Sequence, residues 1–242
     1  MNFYNNFLFI ALPYIAIVTF IIGSIRRYRA TGFKVSSLSS QFLEGEKLYF
    51  GSLLFHWGIL IVFMGHLLTF LFPSATLAWN SDPIRLILLE GLAFIFGLSA
   101  AVGLVSLFLR RISNSRVVMV TNRMDIAIEI LIVIQVVMGC WIALGYRWGA
   151  SWFASDLSPY LWSIFTFNPR IEAINAMPTV IKAHIVGAFL VVLMIPFTRL
   201  MHFLVAPFHY IWRPYQQVIW YWDKRKIRDP SSVWTEHPPK NN

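Results

Sequence analysis

Residues 53–68 read LLFHWGILIVFMGHLL, an apolar run that contains two histidines and no other titratable side chain. The run lies within about 20 mostly apolar residues. As a helix rising about 1.5 Å per residue, such a segment crosses the roughly 30 Å hydrocarbon core of a bilayer. Ionisable side chains at that depth are costly and usually mark a function. His56 and His66 are therefore the first candidates for a functional site.

The composition of the whole chain is that of an integral membrane protein. Its 242 residues are 57% hydrophobic and 13% charged, whereas soluble domains carry about 25% charged residues. An open sheet cannot satisfy its backbone in lipid, so the apolar segments are predicted to be helices and the fold to be an all-α bundle of five transmembrane helices. These segments, named spans one to five, are 3–25, 52–72, 84–109, 124–144 and 179–206.

The distribution of basic residues predicts how the bundle is oriented. Most of the 20 lysines and arginines follow span one, span three or span five. Because basic loops stay on the cytoplasmic side, the N-terminus is predicted to be periplasmic and the C-terminus cytoplasmic. We expect residues 1–206 to form the membrane domain and 207–242 an interfacial tail that docks partners. The net charge of +9 then indicates contact with anionic lipid rather than nucleic acid.

Four of the six histidines lie in two antiparallel spans, His56 and His66 in span two and His184 and His202 in span five. Depth predicts that His66 faces His184 near the outer side and that His56 faces His202 near the inner side. Eighteen residues are about five helical turns, which would put His184 and His202 on one face of span five. Along the helix axes, His56 and His66 are about 15 Å apart and His184 and His202 about 27 Å apart. Helix tilt and the reach of the imidazole side chains would absorb this difference.

Two stacked pairs of histidines suit two b haems, which are held without covalent bonds by axial imidazoles. The chain has one cysteine, Cys140, so covalent haem attachment and iron–sulfur ligation within it are excluded. Gly58, Gly65 and Gly187 lie close to the histidines in sequence and are expected to let a porphyrin approach the helices.

Two arginines are candidates for the haem propionates. Arg199 lies inside span five, about one turn before His202, and Arg111 ends span three near the same membrane face. Each guanidinium could neutralise a carboxylate of the inner haem. The other loop arginines at this face are expected to serve topology.

Other interpretations of the histidines lead to different classes of protein. A single intramembrane histidine can simply donate a hydrogen bond to a neighbouring helix, and a non-redox membrane anchor or transporter could carry four of that kind. A proton relay would recruit carboxylates at similar depth, and spans two and five contain none. A site for two metal ions would need all four imidazoles together, which the two depths forbid. A reduced-minus-oxidised optical spectrum separates the haem interpretation from the others.

Four stretches resemble the gamma subunit of membrane-bound respiratory nitrate reductase, a dihaem cytochrome b of the bacterial inner membrane. They are NFLFIALPYIAIVTFIIGSIRRYR (6–29), SLLFHWGILIVFMGHLL (52–68), SRVVMVTNRMDIAIEILIVIQVVMG (115–139) and IKAHIVGAFLVVLMIPFTRLMHFLVAP (181–207). The family's haem ligands fall on His56, His66, His184 and His202. The resemblance implies that menaquinol or ubiquinol is oxidised near the outer haem. Electrons would then reach an iron–sulfur beta subunit and a molybdenum-containing alpha subunit in the cytoplasm.

Alternatively, the same dihaem module could serve another molybdenum or iron–sulfur oxidoreductase, for example one that oxidises nitrite or reduces sulfur compounds. One departure from the family concerns the quinol. Some members place a lysine early in span three, whereas residues 82–91 here read DPIRLILLEG, with Ile87 and no lysine. Gly65, His66 and Arg85 are therefore the candidate quinol contacts.

Overall fold

A computed structural model describes residues 3–31, 35, 40, 43 and 46–205. The predicted tail, 207–242, lies outside these described residues. Within them every regular element is a helix, and five helices are long and apolar enough to cross a membrane. This confirms the predicted all-α fold with five spans, while the direction of the two chain ends stays a prediction. The observed spans are Phe3–Thr31, Lys47–Leu71, Pro83–Ser113, Arg123–Gly145 and Thr179–Phe197.

Spans three and four begin at sequence signals that fix a helix N-terminus. The Asp82 side chain accepts hydrogen bonds from the amides of Ile84 and Arg85, and Pro83 occupies the first helical position, where its missing N–H costs nothing. Span four begins at a capping box in which Asn122 and Asp125 each accept the other's backbone N–H. Both caps satisfy amides that would otherwise be left without partners.

The spans pack in the order two, three, four, five, one. Spans two and three approach most closely, because a Cβ on Gly58 would lie 2.5 Å from the Ala100 nitrogen and one on Gly103 2.4 Å from the Phe55 nitrogen. The expectation that Gly58 makes room for a porphyrin is therefore wrong, since its open face is filled by span three. Gly187 is likewise filled, by the Gln135 side chain. Within the described ranges, spans two and five make no extensive backbone contact with each other.

Span five does not run unbroken to residue 206 as predicted. Its α-helix ends at Met194, a 3₁₀ turn covers Ile195–Phe197, and Thr198 is extended. A second 3₁₀ segment, Arg199–Val205, carries His202. Pro196 explains the break, because proline lacks an N–H and its ring clashes with the carbonyl one turn earlier. His184 and His202 therefore do not share one face of a continuous helix.

The segment between spans four and five folds inward at its centre. It contains the helical elements Gly149–Trp152, Phe153–Leu157, Ser158–Phe165 and Glu172–Ala176. Tyr160 is only 1% exposed, and its hydroxyl donates to the carbonyl of Phe9, 2.8 Å away, in span one. Burial raises the pKa of Tyr160 above its usual range, so this phenol stays protonated and keeps the hydrogen bond. The segment thus covers one end of the bundle.

The close contact of spans two and three predicts opposite effects for two glycine substitutions. Gly58→Ala should lower the free energy of unfolding by about 1–3 kcal/mol, because the added methyl group meets backbone that cannot move aside. Gly91→Ala is the control, since a Cβ there meets no atom within 4 Å, and it should raise stability by up to about 1 kcal/mol. Thermal unfolding of the purified protein in detergent measures both. Equal melting temperatures for the two variants would contradict the packing.

Candidate cofactor site

The structure brings His56 and His202 together. Their ring centroids lie 6.2 Å apart, with the ring planes inclined by 68°. A metal–imidazole bond of about 2.0 Å, plus about 1.1 Å from the nitrogen to its ring centre, gives about 6.2 Å for two rings on opposite sides of one metal ion. The separation of His56 and His202 therefore suits two axial ligands of a single iron.

Backbone carbonyls fix the orientation of three of the four imidazoles. The Nδ1 atom of His56 lies 2.8 Å from the Ser52 carbonyl oxygen, that of His66 2.8 Å from the Val62 oxygen, and that of His202 2.7 Å from the Arg199 oxygen. A carbonyl can only accept, so each Nδ1 carries the proton and donates. This leaves the Nε2 lone pair available, which is the arrangement that metal-binding histidines commonly show.

His184 differs from the other three, because its Nδ1 is buried and has no hydrogen-bond partner among the described residues. Span four lies against it: the Gln135 amide donates to the His184 carbonyl at 2.9 Å, and a Cβ on Gly139 would lie 3.4 Å from the imidazole Cε1. A bound ligand, or a change of imidazole tautomer, can satisfy a buried nitrogen that has no partner.

The donor set fits haem better than a bare metal ion. In the part of the chain that the structure describes, no three side chains of His, Cys, Asp or Glu converge to hold a metal. A pair of imidazoles can hold iron when a porphyrin supplies the four equatorial nitrogens. The four histidines lie on spans two and five and on the 3₁₀ segment that follows span five, and spans two and five do not pack extensively on each other. His56 and His66 are exposed when the chain is taken alone, as expected of side chains that a cofactor covers.

The two predicted propionate contacts both have carboxylate partners in span four. Arg199 Nε lies 2.9 Å from Asp125 Oδ1, and Arg111 Nε lies 2.5 Å from Glu129 Oε2. Asp125 and Glu129 are buried, at 3% and 7% exposure. The sequence analysis did not connect Asp125 with the site. Its position three residues after Asn122 is nevertheless typical of a capping box.

The surface of span two near His66 is open on one side and covered on another. A Cβ on Gly65 would meet no atom within 4 Å, while the ring of Phe153 packs edge-on against His66 at 5.3 Å. Arg85 lies at the start of span three. Its Nε is 3.9 Å from Asp82 Oδ2, and its Cζ lies over the Trp79 ring, 5.1 Å from the ring centroid. Of the three candidate quinol contacts, Gly65 and His66 are neighbours on span two.

Sequence comparison shows which family the chain belongs to. The protein-family profile described as nitrate reductase gamma subunit matches residues 5–221, most of the chain. The chain belongs to the nitrate reductase gamma subunit family. It is 32% identical over 207 residues to the nitrate reductase gamma chain of Bacillus subtilis (strain 168), covering 84% of this chain and 93% of that one. It is also 32% identical over 224 residues to the respiratory nitrate reductase 2 gamma chain of Escherichia coli (strain K12), covering 90% and 98%.

A third relative is the nitrate reductase-like protein NarX of Mycobacterium tuberculosis (strain H37Rv), 28% identical over 212 residues, which are 84% of this chain and 32% of that protein. The resemblance seen in the sequence is thus confirmed. This gamma subunit family member is a multi-pass membrane subunit of a nitrate reductase, an oxidoreductase complex, and associates with other nitrate reductase subunits.

Glu90 of span three holds the segment that covers His66. Its two carboxylate oxygens accept hydrogen bonds from the amides of Trp148 and Ala150, each at 3.1 Å. Trp148 has a φ of 65°, a left-handed conformation that costs a non-glycine residue roughly 1–2 kcal/mol. The carboxylate offsets this strain, and five residues after Trp148 the chain brings Phe153 against His66.

Removal of this carboxylate should loosen the segment. Hydrogen bonds to a charged group contribute about 1.5–3 kcal/mol, so in Glu90→Ala trypsin should cut after the exposed Arg147 about tenfold faster or more. Asp156→Ala is the control, because Asp156 lies in the same segment and accepts its hydrogen bond from the adjacent Ser155. Equal cleavage rates in the two variants would refute the role of Glu90 in holding this segment.

Proposed function

We propose that this chain is the quinol-oxidising dihaem cytochrome b subunit of its nitrate reductase. It passes electrons from membrane quinol, menaquinol or ubiquinol, through two b haems to an iron–sulfur beta subunit and a molybdenum-containing alpha subunit. The outer haem is held by His66 and His184 and the inner haem by His56 and His202. The complex lies in the bacterial inner membrane, with the catalytic subunits and the C-terminal tail on the cytoplasmic side.

The observation that carries this proposal is the 6.2 Å separation of the His56 and His202 rings. A hydrogen bond to a neighbouring helix would place each imidazole beside a backbone or polar group of that helix. Instead, the Nδ1 atoms of both rings donate within their own segments, to Ser52 and Arg199. The second nitrogen of each ring is thereby kept for iron.

The same residues explain a one-electron relay across the membrane. His56, His66, His184 and His202 would hold the two haems, which would supply reversible one-electron chemistry when bound. Quinol releases its two protons on the outer side. Electrons delivered to the inner side separate charge without any proton path through this subunit.

Quinol oxidation is assigned to the His66 end. Span two is open beside Gly65, so a quinol head group from the bilayer can approach His66 there. His66 Nδ1 donates to Val62 and is not available as a proton acceptor while that bond persists. Arg85, held by Asp82 and Trp79, supplies a positive charge at the same end of the bundle and takes the place of the family's lysine in attracting the quinol oxygen.

Histidine substitutions separate the two haems. In the purified complex, the reduced-minus-oxidised spectrum should contain two b-type haems. His66→Ala and His184→Ala should each remove the outer haem and abolish quinol oxidation, whereas His56→Ala should remove the inner one, because each iron loses an axial ligand. Absence of b-type bands from the assembled wild-type complex would overturn the proposal. Loss of the same haem in His56→Ala and His66→Ala would overturn the pairing.

Arg85→Ala should weaken quinol binding while both haems stay in place, because no histidine ligand is touched. The Michaelis constant for quinol should rise about tenfold, the effect of losing one charged hydrogen bond of about 1.4 kcal/mol. Steady-state oxidation of a quinol analogue and its inhibition by a quinone-site inhibitor measure this. Unchanged constants would remove Arg85 from the quinol site.

A further inference from the structure

The turn that carries His202 is held by contacts from outside span five. Because Pro196 and Thr198 interrupt the helix, their carbonyl groups lose helical partners, and Arg27 of span one donates to both at 2.8 Å. Gly23 of span one lies so close that a Cβ there would be 2.8 Å from Pro196 Cβ. The break in span five is therefore a supported feature of the fold.

A single ion pair continues this support up to the imidazole. Arg199 is the first residue of the 3₁₀ segment after the break. Its guanidinium contacts Asp125 Oδ1 at 2.9 Å and donates to the Val120 carbonyl at 2.7 Å. Its own carbonyl oxygen accepts from His202 Nδ1 at 2.7 Å. One residue thus links a buried carboxylate of span four to the nitrogen that sets the orientation of His202.

Asp125 is itself rigidly placed. Its second oxygen, Oδ2, accepts from the Asn122 backbone amide at 3.1 Å, and its own amide donates to the Asn122 side chain at 2.8 Å. At 3% exposure the carboxylate is out of water, where charge pairs interact more strongly than at the surface. The N-terminus of span four therefore holds the negative charge at one point relative to the His202 turn.

We propose that Asp125 is a positioning residue for the inner haem, acting through Arg199. Its ion pair with Arg199 holds the carbonyl that orients His202, and its negative charge lies against the Arg199 guanidinium. The inference rests on the proposed function, because it assumes that His202 and His56 ligate a haem. It adds to that function a residue on span four that helps to set the inner haem's reduction potential.

The charges of Asp125 and Arg199 predict the direction in which the inner haem's reduction potential should change in each variant. Ferric haem carries one more positive charge than ferrous haem, so an unbalanced cation nearby favours the reduced form and raises the midpoint potential. Asp125→Asn removes one negative charge from beside the His202 turn and should raise the inner haem's potential. Arg199→Gln leaves Asp125 unbalanced and should lower it. A role confined to holding the fold would not predict opposite directions for the two variants.

Potentiometric titration of the b-haem bands in the purified complex tests this, together with the low-spin ferric signals in electron paramagnetic resonance. Asp125→Asn should alter only the haem that is lost in His56→Ala, and should weaken its retention about tenfold or more. Asn122→Ala is the matched control. It removes the side-chain acceptor of the same cap but keeps both bonds of the Asp125 carboxylate, so it should leave the potential unchanged.

The outcomes separate this inference from the proposed function. Two haems in the wild-type complex, with potentials that move in opposite directions in Asp125→Asn and Arg199→Gln, support it. Equal shifts in Asn122→Ala and Asp125→Asn, shifts of the same sign in the two charge variants, or changes in both haems at once overturn it. If Asp125→Asn does not assemble, Asp125→Glu decides in its place: it keeps the charge but displaces the carboxylate, so the inner haem's potential should shift, and an unchanged inner haem overturns the inference. A wild-type complex without b haem would instead refute the proposed function.

Discussion

An imidazole inside an apolar bundle has two polar ring nitrogens that are costly to leave without partners, and the arrangement of the histidines reflects that constraint. Three of the four intramembrane histidines direct Nδ1 to a carbonyl of their own segment, at Ser52, Val62 and Arg199. The other nitrogen is then left over, and an unsatisfied polar atom in a membrane costs several kcal/mol. In the proposed dihaem subunit, iron on Nε2 would remove that cost and would couple ligand binding to the stability of the bundle.

The proposed haem binding would also account for the uneven packing of the helices. Spans two and three meet backbone to backbone at Gly58 and Gly103, which rigidly positions the helix that bears His56 and His66. Spans two and five, which carry the four histidines, make no extensive contact in the described part of the chain. Lipid gives apolar helices little reason to associate. A flat apolar macrocycle between these spans would supply the missing contact area and join them through metal bonds.

The sequence predicts the five spans and the candidate histidines because both depend on local properties, hydropathy and residue type. It does not predict the break after Met194, although Pro196 is visible, because prolines are tolerated in membrane helices whenever neighbours satisfy the freed carbonyls. Here that neighbour is Arg27, 169 residues away in sequence from Pro196. Gly58 was misjudged for the same reason: the partner that fills its open face lies on another span.

The ion pairs Arg199–Asp125 and Arg111–Glu129 show how one set of charges meets two requirements. Arginines at the ends of spans are needed for topology, but a bare guanidinium beside an oxidised iron would make that iron a stronger oxidant. Asp125 forms an ion pair with Arg199, and Glu129 forms one with Arg111. Replacing a buried ion pair with apolar residues is often neutral or stabilising, so stability alone does not explain why these pairs are present. The proposed positioning of His202 would account for the Arg199–Asp125 pair, because apolar residues could supply neither its fixed geometry nor its charge.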